Sequence, residues 1–278
     1  MTLKTIKKAV IQELPFFIGV PALIWQVLFF YVPLVFMVLL SMSGFSGKNF
    51  IPFFQPVYGT IIARSLLLAV CNAIACACIA YPVAYFIAFK GKRFKNILLF
   101  LLIVPFWTNF LLHIFAWFFV LEQSGFLNNF LLYIGAISQP LHLLNSLFAV
   151  ALMMVYNYLP FMALPIYSSL ERLDHRLIEA SFDLGATWWQ TVRRVLLPVS
   201  MSGLQAGFFL VFVPSFGEFV IPELMGGDKT MFVGTVVSQY ILGPQTMALG
   251  AAFTVLSCGA LLSSALLLYW LMQKIIQS

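Results

Sequence analysis

Charged residues are scarce in this sequence. Only 9% of its 278 residues are Asp, Glu, Lys or Arg, whereas 62% are hydrophobic and the mean hydropathy is +1.01. A soluble domain carries roughly 25% charged residues because its surface faces water. This chain has too few charges to cover a water-facing globule, so most of its surface is expected to face lipid.

The sequence also lacks the spacing of a metal site or of a disulfide framework. It has no C-x-x-C with partner ligands and no histidine cluster, and its four cysteines all lie in apolar stretches: Cys71, Cys76, Cys78 and Cys258. We expect buried, unreactive thiols and no metal. The net charge of +6 does not indicate nucleic-acid binding, because the basic residues cluster in short breaks between apolar runs.

Long apolar runs make up most of the chain. A membrane-spanning helix needs about 20 mostly apolar residues, and six segments qualify: 15–41, 61–89, 97–121, 147–170, 200–220 and 247–272. Backbone polar groups in lipid must be satisfied within each segment, which predicts helices, and strand alternation is absent. The predicted fold is an all-α integral membrane protein with six transmembrane helices, forming one domain over residues 1–278.

Basic residues predict the orientation, because Lys and Arg concentrate on the cytoplasmic side. Placing the N-terminus in the cytoplasm puts twelve of the fifteen inside: Lys4, Lys7, Lys8, Lys90, Lys92, Arg93, Lys95, Arg172, Arg176, Arg193, Arg194 and Lys274. Only Lys48, Arg64 and Lys229 then lie outside. Both termini are therefore predicted to be cytoplasmic.

The connection between the fourth and fifth spans, residues 171–199, is long and mixed in charge. Small and apolar residues recur at helical spacing on one face of a predicted helix from Arg176 to Leu184: Leu177, Ala180, Ser181 and Leu184. Glu179 and Asp183 lie on the other face, which suits contact with water or a partner. Gly185 can end the helix in a left-handed conformation.

A second helical run is predicted from Trp188 to Leu197, stopping at Pro198. The residues alone leave two interpretations of the connection open. It could project towards a soluble partner, or it could lie at the membrane surface as an amphipathic loop anchored by Trp188, Trp189, Arg193 and Arg194.

A motif in this connection resembles a known family. Glu179-Ala180-Ser181, then Gly185, then Val195-x-Leu197-Pro198 are similar to the E-A-A-x3-G-x9-I-x-L-P loop of binding-protein-dependent ABC importer permeases. Ser181 and Val195 depart from it but keep size or branching. Three further runs resemble the spermidine/putrescine permeases: I-V-P-F-W-T-N at 103–109, L-P-F-M-A-L-P-I-Y at 159–167 and G-E-F-V-I-P-E-L-M-G-G at 217–227.

The resemblance implies how the chain works with other subunits. In that family the loop forms a coupling helix that docks on a cytoplasmic ATPase, which implies these coupling residues: Glu179, Ala180, Ser181, Asp183, Gly185, Leu197 and Pro198. Implied partners are a cytoplasmic ABC ATPase dimer, a second homologous permease and a periplasmic polyamine-binding protein. The chain itself needs no cofactor, since ATP and Mg belong to the ATPase. The implied location is the bacterial inner membrane.

A polyamine is a flexible polycation, so its path should offer acceptors and aromatic faces. At 1.5 Å of rise per residue, polar and aromatic residues of spans three and four reach a similar depth: Trp107, Asn109, Tyr156, Asn157 and Tyr158. They are expected to face one cavity, or else to pack and hydrogen-bond between helices. Glu218, at the outer end of span five, is predicted to contact an ammonium group, with pairing to Arg64 or exposure to water as alternatives. Glu223 is expected to meet the binding protein or solvent.

Two other classes of transporter remain as alternatives. A secondary transporter would usually carry buried ion-coupling carboxylates, and no Asp or Glu lies centrally in any predicted span. A related ABC importer permease for another small periplasmic solute would share the coupling loop. No nucleophile–base pair or metal constellation is present, so we expect a transport subunit and not an enzyme.

Overall fold

The computed structural model of the chain describes residues 19–42, 47–227, 231–243 and 247–277. The described residues form helices, turns and bends, and no strand occurs among them, so the prediction of an all-α fold is confirmed. Lys4, Lys7, Lys8 and Lys229, on which the predicted orientation partly depends, lie outside the described residues, as do residues 15–18 of the first predicted span.

The described helices follow one another along the chain with short connections. In order they are α1 (Gly19–Ser41), α2 (Pro56–Lys90), α3 (Lys95–Trp107), α4 (Phe110–Leu121), α5 (Phe126–Tyr133), α6 (Leu147–Glu171), α7 (His175–Asp183), α8 (Trp188–Phe216), α9 (Val220–Met225), α10 (Val233–Leu242) and α11 (Met247–Gln277). Three of them contain a π turn: Val27–Tyr31 in α1, Phe86–Lys90 in α2 and Val192–Leu196 in α8.

Among the described residues, six helical segments are long and apolar enough to cross a membrane, as predicted. They are Gly19–Ser41, Pro56–Lys90, Phe110–Tyr133, Leu147–Glu171, Trp188–Phe216 and Met247–Lys274. The third of these joins α4 and α5 across a short turn, while α3 is a shorter apolar helix. The predicted boundaries therefore need correction for the third and fifth spans.

The third predicted span, 97–121, is not one helix. The chain leaves helical geometry at Thr108 (ψ 161°) and Asn109 (ψ 125°), which separate α3 from α4. Hydropathy did not reveal this break, because apolar residues continue on both sides of it. Thr and Asn side chains bond readily to nearby backbone groups, and this allows a helix to end and restart within an apolar stretch.

The fifth predicted span, 200–220, begins earlier and ends sooner than expected. The run from Trp188 does not stop at Pro198 but continues as α8 to Phe216. The π turn explains why, since the N–H of Leu197 bonds to the carbonyl of Val192, five residues back. This wider turn leaves room for the ring of Pro198, which would otherwise clash with the preceding turn of an α-helix.

The described residues divide into two groups. One comprises the described residues up to Phe54 together with Gln239–Leu256, and the other Gln55–Ser238 with Ser257–Ser278. In the first group, the ring of Phe53 lies 5.0 Å from that of Phe253 and 5.7 Å from that of Tyr240. These aromatic contacts anchor the short 3-10 helix Lys48–Phe54 against the start of α11 and the end of α10.

The second group is built on mutual packing of α2, α6 and α8. Small residues recur along the buried face of α2: Ala69, Ala73, Cys76, Ala80 and Ala84. Gly203 and Gly207 do the same on α8, where a Cβ on Gly203 would lie 2.3 Å from the Pro165 carbonyl oxygen of α6. Small residues let helix backbones approach closely in a membrane, where lipid removes most of the hydrophobic drive for packing.

Large apolar side chains cover the outside of the helices. Trp25, Phe36 and Phe119 are each about two-thirds exposed, at 66%, 66% and 68%. The expectation of buried cysteines is correct only for Cys76, because the other three thiols lie on this exposed apolar surface. An apolar stretch that faces lipid has an exterior as hydrophobic as its core, so hydropathy alone does not separate the two.

Substituting Gly203 with Ala should destabilise the protein. Its Cβ would lie 2.3 Å from both the Pro165 carbonyl oxygen and Ser169 Oγ, and the backbone carbonyl cannot rotate away as a side chain can, so α6 and α8 must move apart. Overpacking of this kind costs about 1–3 kcal/mol. Thermal unfolding of the purified chain in detergent should show a lower Tm for Gly203→Ala. Gly259→Ala is the control, since nothing lies within 4 Å of its Cβ. An unchanged Tm in both variants would contradict the close approach.

Candidate functional site

A cavity of about 310 Å³ lies beside the break between α3 and α4. We call it the Glu218 cavity, and its lining combines aromatic rings with polar side chains: Pro105, Phe106, Thr108, Phe110, His113, Asn157 and Glu218. Asn157 comes from α6, and Glu218 from the segment between α8 and α9. The structure thus brings together two predicted pathway residues that are 61 positions apart in the sequence (218 − 157).

Glu218 is held by two neutral donors. The Tyr158 hydroxyl donates to its Oε2 at 2.7 Å, and the Val220 N–H donates to its Oε1 at 3.1 Å. Among the described residues it forms no ion pair, and Arg64, the predicted alternative partner, lines a different cavity. Because both donors are neutral, the carboxylate's negative charge is not cancelled by a partner within the described chain.

Thr108 and His113 form a second polar pair in this cavity. The Thr108 hydroxyl donates its single proton to the Pro105 carbonyl at 2.8 Å and lies 2.7 Å from His113 Nε2. The histidine must therefore be the donor in the second bond, which assigns the proton to Nε2. Neither residue was predicted for the pathway. Their position in the sequence could have indicated a role in the pathway, because Thr108 precedes the predicted residue Asn109 and His113 follows it by one helical turn.

Asn109 serves the backbone. Its Oδ1 accepts from the N–H of Leu111 at 2.9 Å, so it caps the first turn of α4. Sequence reasoning had offered a substrate contact or a bond between helices, and the structure instead gives a local cap. The Asn109 side chain thereby gives the Leu111 N–H a partner that an apolar environment would not supply.

The remaining predicted pathway residues are not part of the cavity lining. Tyr156 contacts the rings of His113 (5.5 Å) and Trp117 (5.8 Å), and so packs behind the histidine. Trp107 is 71% exposed and meets the edge of the Phe100 ring at 5.7 Å. Glu223 is exposed in the first turn of α9.

The loop between α6 and α8 adopts the predicted helix–glycine–helix form. Asp174 caps α7, and Gly185 ends it at φ +78°, where its N–H bonds to the Phe182 carbonyl at 2.9 Å. Thr187 and Gln190 then form a capping box that starts α8. The left-handed conformation suits glycine, which has no Cβ to clash.

Exposure along this loop differs from the predicted pattern. Leu184 is 88% exposed and Leu177 51%, so the predicted apolar face of α7 is largely open. Glu179, Ala180 and Asp183 are exposed as well. Ser181 is buried and bonds to Thr191 at 2.9 Å, which ties α7 to the first turn of α8. The open surface of the loop is therefore mixed, with apolar and acidic side chains side by side.

An ion pair lies where this loop begins. Lys95, the first residue of α3, bonds to Glu171, the last residue of α6. The hydrogen bond from Lys95 to this carboxylate raises the pKa of the ammonium above its ordinary value. Both side chains are exposed, so the pair contributes little to stability. Its consequence is geometric, since it connects the start of α3 to the residue from which the loop departs.

Within the described ranges, no group of three or more His, Cys, Asp or Glu side chains lies where it could hold a metal ion.

Comparison with known proteins assigns the family. Residues 80–277 match the family described as binding-protein-dependent transport system inner membrane component. The chain belongs to this family. It is 37% identical over 256 residues to the spermidine/putrescine transport system permease protein PotB of Escherichia coli strain K12, covering 88% of the chain and 93% of that relative.

Other relatives agree with this assignment. PotB of Haemophilus influenzae is 36% identical over 255 residues, covering 88% of each protein. The inner membrane ABC transporter permease protein YdcU of Escherichia coli is 33% identical over 215 residues, covering 72% of the chain and 68% of the relative. The predicted resemblance to permeases of binding-protein-dependent importers is therefore confirmed, and the chain is an inner membrane component.

A solved structure supports the fold. The crystal structure of a bacterial alginate ABC transporter, in complex with an alginate pentasaccharide-bound periplasmic protein, matches with a TM-score of 0.77. The match covers 98% of both chains at 17% sequence identity. At this identity the likeness establishes the permease fold alone.

Removing the cap at the helix break should lower the stability of the permease. In Asn109→Ala the Leu111 N–H loses its acceptor, and loss of an N-cap costs about 0.5–2 kcal/mol. Asn109→Asp keeps an acceptor oxygen at the positive end of α4 and should remain close to the native Tm. Thermal unfolding in detergent compares the three proteins. Equal destabilisation by Ala and Asp would contradict the capping role.

Proposed function

We propose that this chain is the permease subunit of an ATP-driven importer that moves polyamines such as putrescine or spermidine through the Glu218 cavity. The observation that carries the proposal is a carboxylate with only neutral partners in a cavity that also presents aromatic rings. The names of the relatives that cover 88% of the chain support the same substrate class.

The chemistry of the cavity suits an alkylammonium cation. A polyamine alternates ammonium groups with methylene segments, so its site needs both negative charge and apolar surface. Glu218 supplies the charge, and Phe106 and Phe110 line the same cavity. A ring face near a cation contributes about 0.5–2 kcal/mol, which attracts the substrate without trapping it. Asn157 adds a side-chain carbonyl oxygen as an acceptor.

The energy for transport comes from a separate ATPase in this proposal. The exposed surface of α7, with Leu184 and Leu177 beside Glu179 and Asp183, offers the mixed apolar and polar contacts of a docking interface. We infer that the coupling loop docks on a cytoplasmic ABC ATPase dimer. The distribution of Lys and Arg supports a cytoplasmic location for this loop and for both termini.

Two further partners complete the proposed transporter. A second homologous permease would form the other half of the pathway, and a periplasmic polyamine-binding protein would deliver the substrate. Reconstitution of these four components in lipid vesicles tests the proposal directly. Putrescine or spermidine, added with the binding protein, should stimulate ATP hydrolysis and accumulate inside. Absence of stimulation by either polyamine would contradict the proposed substrate.

Glu218→Gln should weaken transport while preserving the fold. The amide keeps the shape of the carboxyl, because its oxygen can accept from the Val220 N–H while its NH2 donates to the Tyr158 hydroxyl oxygen. It removes the charge that attracts an ammonium group. A hydrogen bond to a charged group is worth about 1.5–3 kcal/mol, so the apparent KM for polyamine uptake should rise by about tenfold or more. Glu122→Gln, at an exposed position after α4, is the control. Native KM in the Glu218 variant would remove this residue from the pathway.

Gly185→Asp should disrupt docking of the ATPase. Any residue with a Cβ is strained at φ +78°, although the position itself is open. The variant should therefore change the path of the loop without disturbing packing elsewhere. Co-purification of the ATPase with the permease should fall.

Gly135→Asp provides a matched control for the Gly185 variant. Gly135 has φ +70° and is equally open, but lies after α5, in the loop predicted to face the periplasm. This variant should retain the ATPase. Equal retention by both variants would contradict the coupling role of the loop.

A further inference from the structure

The last turns of α2 carry two aromatic rings that point towards the coupling loop. Tyr85 and Phe89 are four residues apart, on the same side of the helix, and their rings lie 5.0 Å from each other. Both residues are partly buried. The π turn Phe86–Lys90 closes this end with a 2.7 Å bond from the Gly91 N–H to the Phe86 carbonyl.

Each of these rings contacts a different helix of the coupling loop. Tyr85 meets Trp188, the first residue of α8, at 5.1 Å and an interplanar angle of 70°. Phe89 meets His175, the first residue of α7, at 5.6 Å and 72°. Trp188 also stacks on Phe182 of α7, at 6.4 Å and 17°. The Tyr85–Trp188 and Phe89–His175 pairs have the edge-to-face geometry that aromatic rings prefer, and such pairs stabilise the fold beyond the burial of apolar area.

The middle of α2 contacts the last turn of α8, shortly before Glu218. The buried Asn72 of α2 donates from Nδ2 to Ser215 Oγ at 2.8 Å. Ser215 precedes Glu218 by three residues. Asn72 lies 13 positions before Tyr85 (85 − 72), which corresponds to about 20 Å along the helix. A single helix therefore contacts the coupling loop at its end and, at its middle, the last turn of α8, three residues before Glu218.

The packing of α2 makes it suited to transmit movement as a unit. The small residues of its buried face bring it close to α6 and α8 over four turns. Tyr81 adds a bond between its hydroxyl and Ser200 Oγ at 3.0 Å, which joins α2 to α8 near the coupling loop. Closely packed interiors move between discrete arrangements and do not deform continuously, so a shift at one end reaches the other.

We propose that Tyr85 and Phe89 receive the movement of the coupling loop through Trp188 and His175, and that α2 transmits it to the Glu218 segment. The inference rests on the proposed coupling role of the loop. The four rings are positioning residues here, because they act through α2 and do not touch the transported molecule. We call this set of four rings the aromatic relay.

Truncating either ring of the Tyr85–Trp188 contact should uncouple ATP hydrolysis from movement at the cavity. The variants are Tyr85→Ala and Trp188→Ala in the complete transporter. Both should still co-purify with the ATPase but show a two- to tenfold smaller stimulation of ATP hydrolysis by substrate-loaded binding protein, the range expected for an aromatic pair. The double variant should be no worse than the more impaired single variant.

The adjacent tryptophan offers a matched control. Trp189 is 67% exposed and makes no ring contact among the described residues, so Trp189→Ala should behave as native. Tyr85→Phe keeps the ring and should also retain coupling. Equal loss in both tryptophan variants, or loss of the ATPase from Tyr85→Ala and Trp188→Ala, would overturn the relay, because the effect would then be one of docking.

A readout at the cavity separates this inference from the proposed substrate. Phe219, next to Glu218, is 41% exposed. The variant Phe219→Cys, made after the four native cysteines are replaced, can react with a thiol label. The labelling rate of this cysteine should change on addition of a non-hydrolysable ATP analogue, and Trp188→Ala should suppress that change. No change in the native complex, or the same change in the variant, would overturn the relay whatever the substrate is.

Discussion

Backbone N–H and C=O groups inside an apolar environment find no water, and this constraint organises the whole structure. Most of the chain meets it by forming long helices. Where a helix stops, side chains bond to the free backbone groups. Asn109 caps α4, and the Glu218 carboxylate accepts from the Val220 N–H. The π turn of α8 meets the same constraint in another way, since it widens the helix before Pro198 and keeps the backbone hydrogen-bonded.

The same constraint explains where the polar chemistry lies. A helix uses its own backbone groups and leaves a cavity little to bind with, whereas a break releases carbonyls and requires polar side chains to be present. The Glu218 cavity sits at such a break, with Thr108 and His113 bonded to each other on one side. Thr108 and Glu218 bond to backbone groups and also line the cavity, so the same side chains are available to a ligand.

Close packing connects this cavity to the coupling loop. Gly203 lets α8 approach the Pro165 carbonyl of α6, and the buried alanines of α2 fill the third side. A bundle that is this tightly packed leaves little room for independent motion of one helix. The aromatic contacts of Tyr85 and Phe89 with the coupling loop then gain a functional meaning, because they join the exposed helix α7 and the start of α8 to the packed helix α2.

The sequence by itself determined the features that depend on local composition. Six apolar segments and the glycine that ends α7 follow from hydropathy and spacing along the chain, and the family follows from a motif that resembles the importer permeases. The tertiary structure decided which side chains meet. The Tyr158–Glu218 bond joins residues 60 apart (218 − 158), and the burial of Ser181 beside exposed Leu184 depends on how α7 folds back on α8. Hydropathy reports the preference of a residue for water, and it carries no information about which neighbour satisfies that preference.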